Sequence, residues 1–195
     1  MNKLWQKLWQ TPNNRWLPAA SLGGLVMLML GAAGLGVTNF IVHKTSENEF
    51  CFSCHSHEVN IRAEYEASSH FANRTGVRAS CADCHLPKDS WLELMTTKVI
   101  VSADIIPEFS GKLDTPEKWE HHRSEMAERV WHEYRENDSK FCRNCHLPEA
   151  TRTNLQSSMA ATMHAAGSKS GRTCIDCHKG LVHALPNPTP DYHRQ

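Results

Sequence analysis

Every cysteine in this chain lies in one five-residue template. The four instances are "CFSCH" (51–55), "CADCH" (81–85), "CRNCH" (142–146) and "CIDCH" (174–178), and they use all 8 cysteines. Histidine makes up 13 of 195 residues, so a chance His behind all four pairs has odds of roughly one in fifty thousand, and C-x-x-C-H is the attachment signature of c-type haem. Two thiols three positions apart can each form a thioether to one vinyl group, and the next His can reach the iron. A zinc site needs no His directly behind its second Cys. A disulfide framework would not confine every cysteine to one template. Four covalently bound haem c groups are therefore expected, tethered by Cys51, Cys54, Cys81, Cys84, Cys142, Cys145, Cys174 and Cys177, with His55, His85, His146 and His178 as proximal ligands.

Four macrocycles constrain the fold strongly. Only 40% of residues are hydrophobic, and part of that share is spent on one N-terminal run, so the remainder is poor in core-forming side chains for its size. Porphyrin faces would fill the interior instead. The expected fold is mostly α with much irregular loop: a single N-terminal transmembrane helix plus a compact multihaem domain. Charge is balanced at 21 basic against 21 acidic residues, which gives no reason to expect nucleic acid as a partner.

The run 16–42 contains 27 uncharged residues, enough to span a bilayer and too long for the apolar region of a typical cleaved signal peptide. Cleavage near Ala32 or Ala33 is the alternative. Lys3, Lys7 and Arg15 precede the run and Glu47 and Glu49 follow it, so the positive-inside rule puts the N-terminus (1–15) in the cytoplasm and every haem motif on the periplasmic side of a bacterial inner membrane. Trp5, Trp9 and Trp16 suit an interfacial belt. Ala32 and Gly36 are spaced for close helix approach.

Beyond the anchor the chain repeats itself. "ASSHFANRTGVRASCADCH" leads into the second motif and "MAATMHAAGSKSGRTCIDCH" into the fourth, with the first cysteines of successive motifs 30 residues apart in one half and 32 in the other. His70 lies eleven residues before Cys81, and His164 ten before Cys174. Two related dihaem modules follow, 43–88 and 142–195, the second ending in an irregular Pro-rich tail. Between them, 89–141 divides into an apolar segment broken at Pro107 and a charged helix beginning at Thr115 and Pro116. The spread of charge around this helix marks it as a solvated connector.

Low-spin electron-transfer haems use a second imidazole. The repeat nominates His70 and His164 as distal ligands, and His183, five residues past the last motif, is a third. His43, His121, His132 and His193 are expected at the surface, and His122 is undecided. No fourth distal His stands in the corresponding place: the second motif is followed by Lys88, and the first offers only His57. One haem is thus left five-coordinate or unusually ligated.

The stretches "EFCFSCH", "SSHFANRTGVRASCADCHLP", "HRSEMAERVW", "NDSKFCRNCH" and "TCIDCHKGLVHALP" resemble the NapC/NirT/NrfH family of membrane-anchored tetrahaem cytochromes, and two of them look like the NapC branch. The resemblance implies a quinol dehydrogenase that draws electrons from menaquinol or ubiquinol and passes them to a periplasmic reductase, most often nitrate reductase. Anchored relatives also associate with themselves or with their reductase. The family places its quinol site beside the first haem, and the matching residues here are Lys98 and Asp104. On a continuous helix six residues would set them about 120° and 9 Å apart, with the carboxylate as proton acceptor for the quinol. Relatives that carry Met where His57 stands, or His where Lys88 stands, set the first haem apart. It is expected to be exceptional, with His55 or His57 on its iron and the other face open near Asp104. A pure electron carrier without a quinol site, and a terminal reductase acting at an open haem, are the competing readings. The short chain, without a C-x-x-C-Lys motif, speaks against the last.

Overall fold

A computed structural model describes residues 3–10, 21–150 and 152–187. The chain forms two compact units, Met1–Thr45 and Ser46–Gln195. In the first, α1 (Lys3–Trp9) precedes α2 (Leu22–Lys44). Ser21 caps α2 by accepting from the Gly24 amide at 3.1 Å, and 23 residues give a length of about 35 Å, enough to cross a bilayer. None of the apolar window is buried. Gly23 lets the two helices approach, since a Cβ there would lie 3.0 Å from the Leu8 carbonyl and 3.1 Å from the Trp9 ring. Residues 16–20 of the expected anchor, Arg15 and Trp16 lie outside the described residues. The described helix runs two residues past Val42, because His43 and Lys44 continue it.

The second unit contains α3 (Asn48–Cys51), α4 (His55–Asn60), α5 (Arg62–Ala67), α6 (Cys81–His85), α7 (Trp91–Val101), α8 (Ile105–Phe109), α9 (Pro116–Glu136), α10 (Lys140–Arg143) and α11 (Ser158–Lys169), with short 3₁₀ turns between them. No strand occurs among the described residues. Apart from Pro87, the buried apolar side chains among them are Tyr65, Trp119, Tyr134 and Phe141. Four aromatic residues cannot hold a domain of this length together, which fits an interior meant for a prosthetic group.

The repeat is visible as local structure. Ser80 opens α6 with a capping box to Asp83, and Thr173 opens the 3₁₀ turn Cys174–Asp176 with the same box to Asp176. In each, the hydroxyl and carboxylate satisfy amides that would otherwise lack partners at the start of the turn, so the S/T-x-x-D spacing itself sets the backbone entering the motif.

Two expectations are corrected. The charged helix α9 is no solvated connector: Trp119, Arg123 and Tyr134 are buried along it, and it packs against α4 and Cys174–Asp176. Its charges mislead because some are paired inside the fold. Arg123 meets Glu64 at 2.9 Å and Glu120 at 2.6 Å. The break after α7 comes at Ser102–Asp104 rather than at Pro107, which occupies the third position of α8. There the missing N–H has no carbonyl to serve within the helix, so proline is tolerated.

Candidate functional site

The four motifs form a chain of neighbours. Cys51 and Cys81 are neighbours, as are Cys142 and Cys174, while Cys84 neighbours Cys145 and Cys142. The spatial order is therefore first, second, third, fourth. The neighbouring Cys81, helped by the charge of Lys98, outweighs burial and draws the Cys51 thiol down to about 7. No disulfide joins any of the eight cysteines. Among the described residues no group of three or more His, Cys, Asp or Glu gathers as a metal cage would require.

Imidazoles meet in pairs at three of the motifs. The ring centroids of His85 and His183 lie 6.3 Å apart, those of His70 and His146 6.2 Å, and those of His164 and His178 5.9 Å. Nitrogen ligands sit about 2 Å from a first-row metal, and a ring centroid lies about 1.1 Å behind its nitrogen, so two imidazoles on opposite faces of one iron should be about 6.2 Å apart. The three pairs have that separation, and the residues present fit haem c.

The outward nitrogens differ. His164 Nδ1 is 2.7 Å from Gln156 Oε1. His183 Nδ1 is buried without a hydrogen-bond partner and lies 3.7 Å from Glu64 Oε2. His70 Nδ1 is buried and unpartnered. A neutral imidazole is the form that ligates iron.

The first motif is different. No imidazole packs against His55 among the described residues. His57 bonds the Cys51 carbonyl through Nδ1 at 3.1 Å and turns its edge to Trp119 at 6.0 Å. Glu108 accepts from the Ser56 amide at 3.1 Å and from its hydroxyl at 2.5 Å, so it caps the turn that carries His55. Lys98 lies close enough to act on Cys51. Asp104 faces Arg129 at 3.7 Å, and both are exposed. Lys98 lies in the last turn of α7 while Asp104 belongs to the 3₁₀ turn, so they do not share one continuous α-helix and the expected 120° separation is withdrawn, because a 3₁₀ turn has about three residues per turn. Lys88 is occupied by Asp83, and His122 by Glu125 at 3.6 Å with its ring 5.0 Å from His121. His193 lies outside the described residues.

Sequence reasoning missed Glu64, Gln156, Glu108, Arg123 and Trp119. None stands at a fixed offset from a motif, and each is brought to the site by chain folding alone. Glu64 comes from α5 and His183 from the far end of the chain.

No solved structure matches the chain significantly. Among known proteins, it is 45% identical over 171 residues to the cytochrome c-type protein TorY of Haemophilus influenzae, covering 88% of this chain and 46% of the relative. It is 41% identical over 187 residues to the cytochrome c-type protein NapC of Escherichia coli K12, covering 96% of this chain and 91% of the relative. With the denitrification system component NirT of Stutzerimonas stutzeri it shares 40% over 168 residues, 85% of this chain and 83% of the relative. The chain thus spans less than half the length of TorY. Residues 16–188 match the family described as NapC/NirT cytochrome c, N-terminal region. With the C-x-x-C-H template, the helix able to span a membrane and the imidazole pairs, this match establishes that the chain belongs to the NapC/NirT cytochrome c family, whose members carry covalently bound haem c.

Proposed function

We propose that this protein is a membrane-anchored tetrahaem quinol dehydrogenase that passes electrons to a periplasmic reductase, nitrate reductase foremost, in anaerobic respiration. The observation that carries the reading is the asymmetry among the four motifs: three have a second imidazole about 6 Å from the first, and among the described residues the first motif does not. Three sites built to hold an iron on both faces suit electron passage. A fourth with an open side, seven residues after the end of α2 in sequence, suits electron entry from a membrane substrate.

In this reading His85/His183, His70/His146 and His164/His178 are the axial pairs, His55 is the proximal ligand of the first haem, and His57 supports its loop. When bound, each haem supplies one-electron exchange at iron, and the protein supplies position and tuning. Lys98 offers a donor to the quinol oxygen, and Asp104, held only by an exposed ion pair, is available to take up a proton. The haem domain faces the periplasm and α2 crosses the inner membrane once. Two dihaem modules describe the repeat, although two of the axial pairs join one module to the other.

The test is pre-steady-state reduction by menaquinol of full-length holoprotein in nanodiscs, compared with dithionite reduction. Lys98→Ala or Asp104→Asn is expected to slow the menaquinol reaction by about a hundredfold and to leave dithionite reduction unchanged. Unchanged menaquinol rates in both variants would favour the carrier without a quinol site.

A further inference from the structure

The three imidazole pairs have unequal surroundings on their distal histidines. An imidazole bound to iron through Nε2 points its Nδ1–H outward, and an acceptor there fixes the ring and makes it a stronger donor, a carboxylate more so than an amide. His164 has the amide oxygen of Gln156 at 2.7 Å. His70 has no partner for its buried Nδ1. His183 has Glu64 at 3.7 Å, about 0.5 Å beyond the usual hydrogen-bond range.

Glu64 is itself firmly placed. Its Oε2 accepts from the Ala184 amide at 3.0 Å and from Arg123 at 3.1 Å, and its Oε1 is 2.9 Å from the same guanidinium. Ala184 is the residue after His183, so the carboxylate clamps the segment that delivers the ligand. Glu120 also binds Arg123, so the cluster of two carboxylates and one guanidinium keeps a net charge of −1 beside the ring.

We propose that Glu64 is a positioning residue for His183, and that its carboxylate makes the haem of the second motif the hardest to reduce of the three with paired imidazoles. The inference rests on the axial pairing given under Proposed function.

The experiment is a spectroelectrochemical titration with low-temperature EPR on full-length holoprotein in detergent. Glu64→Gln should raise the midpoint of one low-spin haem, about tenfold in its reduction equilibrium or 59 mV for one electron, and change the g-values of that haem alone. Gln156→Leu should move a different haem. If Glu64→Gln loses haem, Glu64→Asp is read instead and should move the same haem by a smaller amount. Unchanged midpoints and g-values in whichever variant retains four haems would overturn the proposal, as would an equal shift of every haem. His183→Ala tests the pairing separately: it should convert one low-spin signal to high-spin, and if all low-spin signals persist the pairing itself is wrong, whatever Glu64 does.

Discussion

The two repeated halves enter their second motif through the same capping box, yet they are held together differently. In the first half Tyr65 is buried, donates to the Ala79 carbonyl at 2.8 Å and accepts from Asn48 at 3.1 Å, with Phe71 packed edge-on at 5.0 Å. Asn48 also accepts from the Cys81 amide at 2.9 Å. In the second half α11 buries nothing, and Leu155, Met159 and Met163 are exposed. The equivalent histidines part company too. His164 meets His178 within its own half, whereas His70 reaches across to His146 and His183 reaches back to His85. A duplicated segment can keep its local backbone while its ligand goes elsewhere, because capping is decided within four residues and ligation by where two distant segments meet.

The largest expected effect tests the crossing. His70→Ala should convert one low-spin haem to high-spin in EPR, and adding Cys142→Ala and Cys145→Ala should abolish that new signal, because the affected haem is the one tethered in the other half. His164→Ala should survive the same addition with its high-spin signal intact. Next is Arg123→Ala. It leaves Glu64 and Glu120 without their shared cation and loosens the Glu64 clamp on the Ala184 segment, at a cost of about 2 kcal/mol after allowance for the exposure of Glu120. Differential scanning calorimetry should show it as a lowered melting temperature. Tyr134→Phe removes the hydroxyl that donates to the Cys84 carbonyl and should cost about 1–2 kcal/mol in chemical denaturation. The smallest effect should come from Thr115→Ala, which removes the side chain accepting from the Lys118 amide at 3.3 Å and should cost about 1 kcal/mol. Hydrogen exchange sharpens the comparison: α11 amides should lose protection before α5 amides when haem content is reduced, since only α5 has buried protein partners.

Much of the fold was legible in particular residues. Thr115 and Pro116 announced α9, the uncharged run announced α2, and four copies of one template announced the family's cofactor. His70, His164 and His183 were nominated by repeat and spacing, and each now faces a motif histidine. The burial of α9 was not legible, since Arg123 and Glu120 read as surface charges until Glu64 is brought to them from α5. Nor was the end of α7 legible, because nothing between Val101 and Ile105 signals a tighter turn. Two consecutive non-glycine residues with positive φ, Asp138 and Ser139, redirect the chain between α9 and the third motif. Ser139 is fully buried there, with its hydroxyl accepting from the Ile175 amide at 3.3 Å. That placement depends on a strand of chain from the other end of the unit.

What the amino-acid order determined alone is what acts over a few bonds: the four C-x-x-C-H templates with a His directly behind each cysteine pair, the caps that open α2, α6, α7, α9 and α11, and an apolar span long enough for a bilayer. Tertiary structure alone decided which distant histidine faces which motif, and that Glu64 stands behind His183. Those choices depend on contacts between residues as many as 120 positions apart, for which local sequence carries no period and no spacing.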